Sequence, residues 1–100
     1  GKSFEQEDLT LPLSLINEEY QELVDACLEG DKANIKKELM DLMYVCISMC
    51  VRYGWKVDHM FDLVHKSNMT KLDKNGTPVY REDGKIMKSD KYVPVDLTKL

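Results

Sequence analysis

A ten-residue apolar run in the middle of the chain is the strongest constraint on its fold. From Leu42 to Val51 the sequence reads LMYVCISMCV, with only Ser48 and the hydroxyl group of Tyr44 as polar groups. The run is too short for a membrane-spanning helix, which needs about 20 residues. A helix that is apolar on almost every side must be covered on most sides. We therefore expect this segment to lie at the centre of a helical assembly.

The helical spacing of apolar residues predicts three helices in a single domain of 100 residues. Pro12 is expected to mark the boundary before the first helix, and Gly30 to end it. Asp31 and Asp58 are candidate N-caps for the second and third helices. The predicted helices cover about 13–29, 31–53 and 58–72.

The chain changes character after the third helix. Residues 73–100 contain Asn-Gly, Asp-Gly and two prolines, and VYREDGKIM is compatible with a short β-hairpin around Asp83-Gly84. The predicted class is therefore all-α. We expect a helical bundle that oligomerisation completes, followed by an irregular tail within the same domain.

Charge is divided unevenly along the chain. The first 54 residues carry 11 acidic and 5 basic groups, whereas the remaining residues carry 7 acidic and 9 basic groups. This pattern argues against nucleic-acid binding by a basic face. It favours a metal site in the first half and an anion-binding segment in the second half.

Three cysteines lie at apolar helical positions: Cys27, Cys46 and Cys50. We expect them to be buried, reduced thiols of a cytoplasmic protein that has no membrane partner. A soft-metal site formed by Cys46 and Cys50 is the alternative, but it lacks a third ligand.

Two pairs of carboxylates lie on the first two helices. Glu19 and Glu22 are three residues apart, as are Glu38 and Asp41, so each pair projects from one side of its helix. Like charges this close repel each other, and partly buried anions need a partner. Four carboxylates from two facing helices form an all-oxygen site, which favours Mg²⁺ or Mn²⁺ over zinc.

Basic side chains near the acids are not expected to neutralise them. No arginine adjoins them, and the helical wheel points Lys36 and Lys37 elsewhere, so a divalent cation is the simplest partner. His59 and His65 lie on nearly opposite faces of the third helix, and we expect them at the surface or in packing. The absence of a Glu-x-x-His pair counts against a di-iron bundle.

The end of the third helix carries groups that suit phosphate binding. Asn68 and Lys71 are three residues apart and share a face, with Lys66 and Lys74 nearby. Lysine binds phosphate as a point charge, and asparagine can orient a sugar or phosphate oxygen.

The acidic residues form a recognisable signature. Glu-Glu-Tyr-Gln-Glu (Glu18–Glu22), then fifteen residues, then Glu-Leu-Met-Asp (Glu38–Asp41) resembles the EExxE…ExxD motif of the MazG-like all-α nucleoside triphosphate pyrophosphohydrolases. This superfamily includes phosphoribosyl-ATP pyrophosphohydrolase and the dimeric dUTPases. The downstream segments SNMTKL and DGKI also resemble the small stand-alone and phage-type members.

The resemblance implies Mg²⁺-dependent hydrolysis, with Mn²⁺ as an alternative, of a nucleoside triphosphate to the monophosphate and pyrophosphate. It also implies a homodimer or homotetramer. Glu18 matches the first acid of the motif, a candidate to hold a second metal ion or to orient the water, and it is the proposed general base. Lys71 is the candidate group that stabilises charge on the phosphates. The implied metal ligands are Glu19, Glu22, Glu38 and Asp41. The expected substrate-binding residues are Lys66, Asn68, Lys71, Lys85, Lys91 and Tyr92.

Two alternatives stay open at this point. The enzyme could act on phosphoribosyl-ATP in histidine biosynthesis, or the chain could be a non-catalytic helical oligomerisation module. No residue pattern discriminates among the bases or between ribose and deoxyribose.

Overall fold

The computed structural model describes residues 8–72, 78, 80–88 and 91–98. It contains three helices: α1 (Thr10–Glu29), α2 (Lys32–Arg52) and α3 (Val57–Met69). The described residues contain no β-strand, so the predicted all-α class is confirmed. The chain divides into two compact units, residues 1–55 with α1 and α2 and residues 56–100 with α3 and the tail.

Helix α1 begins before the predicted boundary at Pro12. The carboxylate of Asp8 accepts hydrogen bonds from the backbone N–H and the hydroxyl group of Thr10, the first helical residue. Pro12 is the third residue of α1, where a backbone N–H has no acceptor within the helix. The missing donor therefore costs nothing there, and the prediction that Pro12 precedes the helix is wrong.

A two-residue connection joins α1 and α2 and lets them pack against each other. Gly30 adopts a left-handed conformation with φ of 76°, and its N–H donates to the carbonyl groups of Ala26 and Cys27. The carboxylate of Asp31 accepts a hydrogen bond from the N–H of Asn34 at 3.2 Å. Both residues act as the sequence predicts, since a left-handed C-terminal glycine and an aspartate N-cap satisfy free backbone groups.

Helix α3 differs from its predicted bounds at both ends. It begins at Val57, so Asp58 is its second residue and accepts from the N–H of His59 instead of capping the helix. The helix ends at Met69 because the following turn tightens: the N–H groups of Thr70 and Lys71 donate to carbonyl groups three residues earlier.

The tail is tied to α3 at one described segment. The Ser67 hydroxyl donates to the carbonyl oxygen of Val93 at 2.6 Å, and the N–H of Val93 donates to the Thr70 hydroxyl at 2.7 Å. These bonds join Val93 to the end of α3, where Ser67 is buried.

A turn lies earlier in the tail. Tyr80 and Ile86 form an isolated antiparallel bridge, and the N–H of Arg81 donates to the carbonyl oxygen of Lys85 at 2.7 Å. Gly84 has a φ of 88°, which suits a glycine at this turn. The short β-hairpin around Asp83-Gly84 stays a prediction.

The single chain buries few side chains. The buried residues in the described part of the chain are Pro12, Ala26, Glu38, Tyr53 and Ser67. Much of the apolar run on α2 is exposed, including Tyr44 at 74% and Val51 at 69%. Cys27 and Cys46 are also exposed, so the prediction of buried thiols is wrong for these two residues in one chain. Among the helices that the structure describes, none is long and apolar enough to cross a membrane.

Candidate metal centre

Three carboxylates meet where α1 packs against α2. Glu19, Glu38 and Asp41 each offer one carboxylate oxygen, and these three oxygen atoms lie within 4.8 Å of one another. Glu38 and Asp41 share a side of α2 because they are separated by almost one helical turn. Glu38 is buried, with 7% of its surface exposed, and Glu19 and Asp41 are half-buried.

Two oxygen atoms of this group are hidden from water and lack a donor. Across the described residues, no hydrogen-bond donor reaches Oε2 of Glu19 or Oε2 of Glu38, although both atoms are buried. Burying a carboxylate oxygen without a partner costs free energy, and neighbouring negative charges increase that cost. A divalent cation would remove the cost, and an all-oxygen donor set is the type that Mg²⁺ and Mn²⁺ prefer. The residues present therefore fit such an ion.

The other two acids of the signature, Glu18 and Glu22, do not belong to this group of three. Glu22 is exposed, but its carboxyl group contacts that of Glu38. This contact, followed by the charge of Glu19, raises the pKa of Glu22, because a proton relieves the repulsion between carboxylates. Glu18 is exposed and stands outside the group of three.

Lys37 contradicts the helical-wheel prediction. Its Nζ atom lies 2.9 Å from Oδ2 of Asp41 and 3.2 Å from Oε1 of Glu38. These contacts, with Asp41 first and Glu38 second, raise the pKa of the Lys37 ammonium group. A wheel follows the direction of the Cβ atom, whereas a long lysine side chain can bend toward a carboxylate four residues later. The acids thus have a partial counter-charge within the chain.

The remaining predicted site residues belong to the second unit. Lys66 forms an ion pair with Asp62 at 2.9 Å, and Asn68 and Lys91 are exposed. The Nζ atom of Lys71 lies 5.7 Å from the centre of the Tyr92 ring.

An open cavity of about 480 Å³ is lined by two of the predicted site residues and by two further cations that were not predicted. Lys71 and Lys85 line it together with Arg81 and Lys88. The Nζ atom of Lys88 lies 4.9 Å from the centre of the Tyr92 ring, as a second cation beside that ring. The only sequence signal for Arg81 and Lys88 is the basic character of the tail.

Comparison with known protein families matches residues 1–68 to the family described as phosphoribosyl-ATP pyrophosphohydrolase. The chain belongs to this family. The family is part of the MazG-like superfamily, so the resemblance seen in the sequence is confirmed. No curated protein matches the chain.

The protein is therefore a pyrophosphohydrolase of the MazG-like superfamily, a class of enzymes that act on nucleotides and generally depend on a divalent metal. The matched residues include both carboxylate pairs of this pyrophosphohydrolase and end at Asn68. Lys71 and the basic tail lie outside the match, so their roles stay predictions.

Proposed function

We propose that this pyrophosphohydrolase converts a ribo- or deoxyribonucleoside triphosphate and water to the monophosphate and pyrophosphate, using Mg²⁺ or Mn²⁺. The observation that carries the proposal is the pair of buried, donor-free carboxylate oxygens of Glu19 and Glu38 beside Asp41. We expect the activity to clear unwanted nucleotides from the cytoplasmic pool.

Glu19, Glu38 and Asp41 would hold the metal ion, with Glu22 as a further ligand from the edge of the group. When bound, the ion supplies positive charge for the phosphates and lowers the pKa of a coordinated water molecule. Lys37 would have to release Asp41 and Glu38 to leave their oxygen atoms free for coordination.

Side chains of the protein would accept the proton from water and bind the phosphates. Water attacks the α-phosphorus, and the exposed carboxylate of Glu18 accepts the proton. Lys71 stabilises the negative charge that develops on the phosphates. The other proposed substrate-binding residues are Lys66, Asn68, Lys85, Lys91 and Tyr92.

A second copy of the chain would complete the fold, as a homodimer or homotetramer. Covering apolar surface is favourable, and a single chain leaves much of the face of α2 open to water. The residues that support this proposal are Leu39, Met40, Met43, Tyr44, Ile47 and Val51, each at least 43% exposed.

Phosphoribosyl-ATP is the second candidate substrate. The description of the matching family favours it. The same bond between the α- and β-phosphates is cleaved in both cases, so the carboxylate group does not separate the two candidates. A purely structural oligomerisation module is the remaining alternative, and it predicts no turnover.

Pyrophosphate release from all ribo- and deoxyribonucleoside triphosphates and from phosphoribosyl-ATP, with Mg²⁺ and with Mn²⁺, tests the proposal. Glu38→Gln and Asp41→Asn should each reduce the rate at least about 100-fold, because each removes a metal-binding oxygen. The exposed acids of α1 provide matched controls, Glu29→Gln and Asp25→Asn, which should keep the wild-type rate. Turnover of phosphoribosyl-ATP alone would select the second candidate. Full activity in Glu38→Gln and Asp41→Asn would exclude the metal assignment.

A further inference from the structure

The cavity lined by Lys71, Arg81, Lys85 and Lys88, here called the basic pocket, has an unusual charge balance. These four cations are joined in its lining by Ile86 and Met87, and none of the described residues that line it carries a carboxylate. Its volume of about 480 Å³ lies within the range of small-molecule sites. All of its residues belong to the second compact unit.

Among the residues that the structure describes, no acidic side chain pairs with the ammonium groups of the basic pocket. Lys71, Lys85 and Lys88 form no ion pair with a described residue, in contrast to Lys37 and Lys66. Like charges around one cavity repel one another. A bound anion would offset that repulsion.

Other contacts position three of the four cations of the basic pocket. Arg81 donates through Nη2 and Nε to the two carboxylate oxygens of Asp83, at 2.6 and 3.2 Å. This fork uses two of the five arginine donors and leaves three for a ligand. The Tyr92 ring lies beside both Lys71 and Lys88, and an aromatic ring attracts a cation without supplying a negative charge.

We propose that the basic pocket binds an oligophosphate, a chain of two or three linked phosphates, without needing a metal ion. Arginine and lysine bind phosphate oxygens through charge-assisted hydrogen bonds, and several cations around one cavity suit an anion with several charges in a row. The proposal deepens the function proposed above, on which the choice of ligand rests, and adds Arg81 and Lys88 to the binding residues. The ligand is the triphosphate of the substrate or the pyrophosphate product, which share this chemistry.

Nucleic acid is a weaker fit to the basic pocket. A protein that binds nucleic acid presents a basic stripe along a long backbone, and its charge balance is usually positive. This chain has a net charge of −4, and these cations converge on one small cavity.

Calorimetric titration of the full chain in EDTA with inorganic tripolyphosphate, pyrophosphate and orthophosphate tests the proposal. The affinity should rise with the number of linked phosphates and fall with added salt. The double variant Lys85→Gln/Lys88→Gln should bind tripolyphosphate about tenfold or more weakly than wild type. The control Lys32→Gln/Lys36→Gln changes the charge equally at exposed positions of α2 and should bind as wild type does. Circular dichroism checks that both variants fold.

Separate outcomes decide the basic pocket and the proposed function. Equal affinity of the double variant and its control for tripolyphosphate would overturn the proposal that the basic pocket binds oligophosphate. Tighter binding of single-stranded DNA than of tripolyphosphate would also overturn it. Tripolyphosphate binding in EDTA together with no turnover of any nucleotide would support the pocket and refute the proposed function. In active protein, the double variant should raise KM more than it lowers kcat. Loss of pyrophosphate inhibition in the double variant, with an unchanged KM for the triphosphate, would identify the product as the ligand.

Discussion

The carboxylate group on α1 and α2 and the basic pocket beyond α3 are both clusters of like charge, but they differ in burial. Glu38 in the first cluster is 7% exposed, whereas Arg81, Lys85 and Lys88 in the second are all exposed. Water stabilises exposed charges and screens their repulsion, but it cannot reach Oε2 of Glu38. This difference in burial predicts that a cation at the acids stabilises the fold strongly, whereas an anion at the basic pocket relieves a weaker, partly screened repulsion.

Magnesium binding should produce the largest effect, because it acts on the buried cluster. At 100 times the dissociation constant, Mg²⁺ should raise the free energy of unfolding by about 2.7 kcal/mol. For a domain of this size, that corresponds to a thermal midpoint roughly 10–20 °C higher. Thermal unfolding in EDTA and in excess Mg²⁺ measures the difference.

Glu38→Gln should lose this thermal response, since it removes the buried charge of the cluster. In EDTA its midpoint should be above that of wild type, because one repelling carboxylate is gone. Glu29→Gln, an exposed change on α1, should respond to Mg²⁺ as wild type does. If Mg²⁺ raised the thermal midpoint of Glu38→Gln as much as that of wild type, burial of this charge would not explain the response to the metal.

Replacing Lys37 should have an intermediate effect. Lys37 competes with a metal ion for oxygen atoms of Asp41 and Glu38, so Lys37→Gln should bind Mg²⁺ about two- to fivefold more tightly. Calorimetric titration with Mg²⁺ measures the affinity, and Lys36→Gln is the control with the same charge change at the adjacent position. Unchanged or weaker binding by Lys37→Gln would show that the ion pair does not compete with the metal.

The exposed ion pair of α3 should have the smallest effect. The pKa of Asp62 is lowered, chiefly by the hydrogen bond from Lys66. A carboxyl group whose pKa is lower in the folded state adds stability above its unfolded value, and this stability is lost as pH falls through the folded value. Asp62→Asn should therefore lower the thermal midpoint at pH 7 by less than about 3 °C, and the difference should vanish as pH falls below 3.8.

Thermal unfolding of wild type and Asp62→Asn between about pH 2 and about pH 7 provides the measurement. Adding Lys66→Gln to Asp62→Asn should cause no further loss at neutral pH, because the pair is already broken. A midpoint difference that persists at the acid end would assign the effect to something other than the ion pair.

Local sequence signals predicted the helices and most of the acidic cluster. Gly30 and Asp31 end and begin helices by satisfying their own backbone neighbours, so no distant residue is needed to recognise them. The spacing of Glu38 and Asp41 places them together on any α-helix. Asp58 and Pro12 misled the prediction because aspartate and proline are also tolerated inside the first turn.

The sequence by itself determined three helices, their connection at Gly30 and two carboxylate pairs, because these follow from backbone hydrogen bonding and a period of 3.6 residues. Only the tertiary structure decided which carboxylate oxygens are hidden from water, since that depends on the packing of α1 against α2. It also decided that Lys37 turns toward Asp41 and that Arg81 and Lys88 line one cavity with Lys71. Those contacts depend on side-chain reach and on the path of an irregular tail, which have no fixed period for a sequence to display.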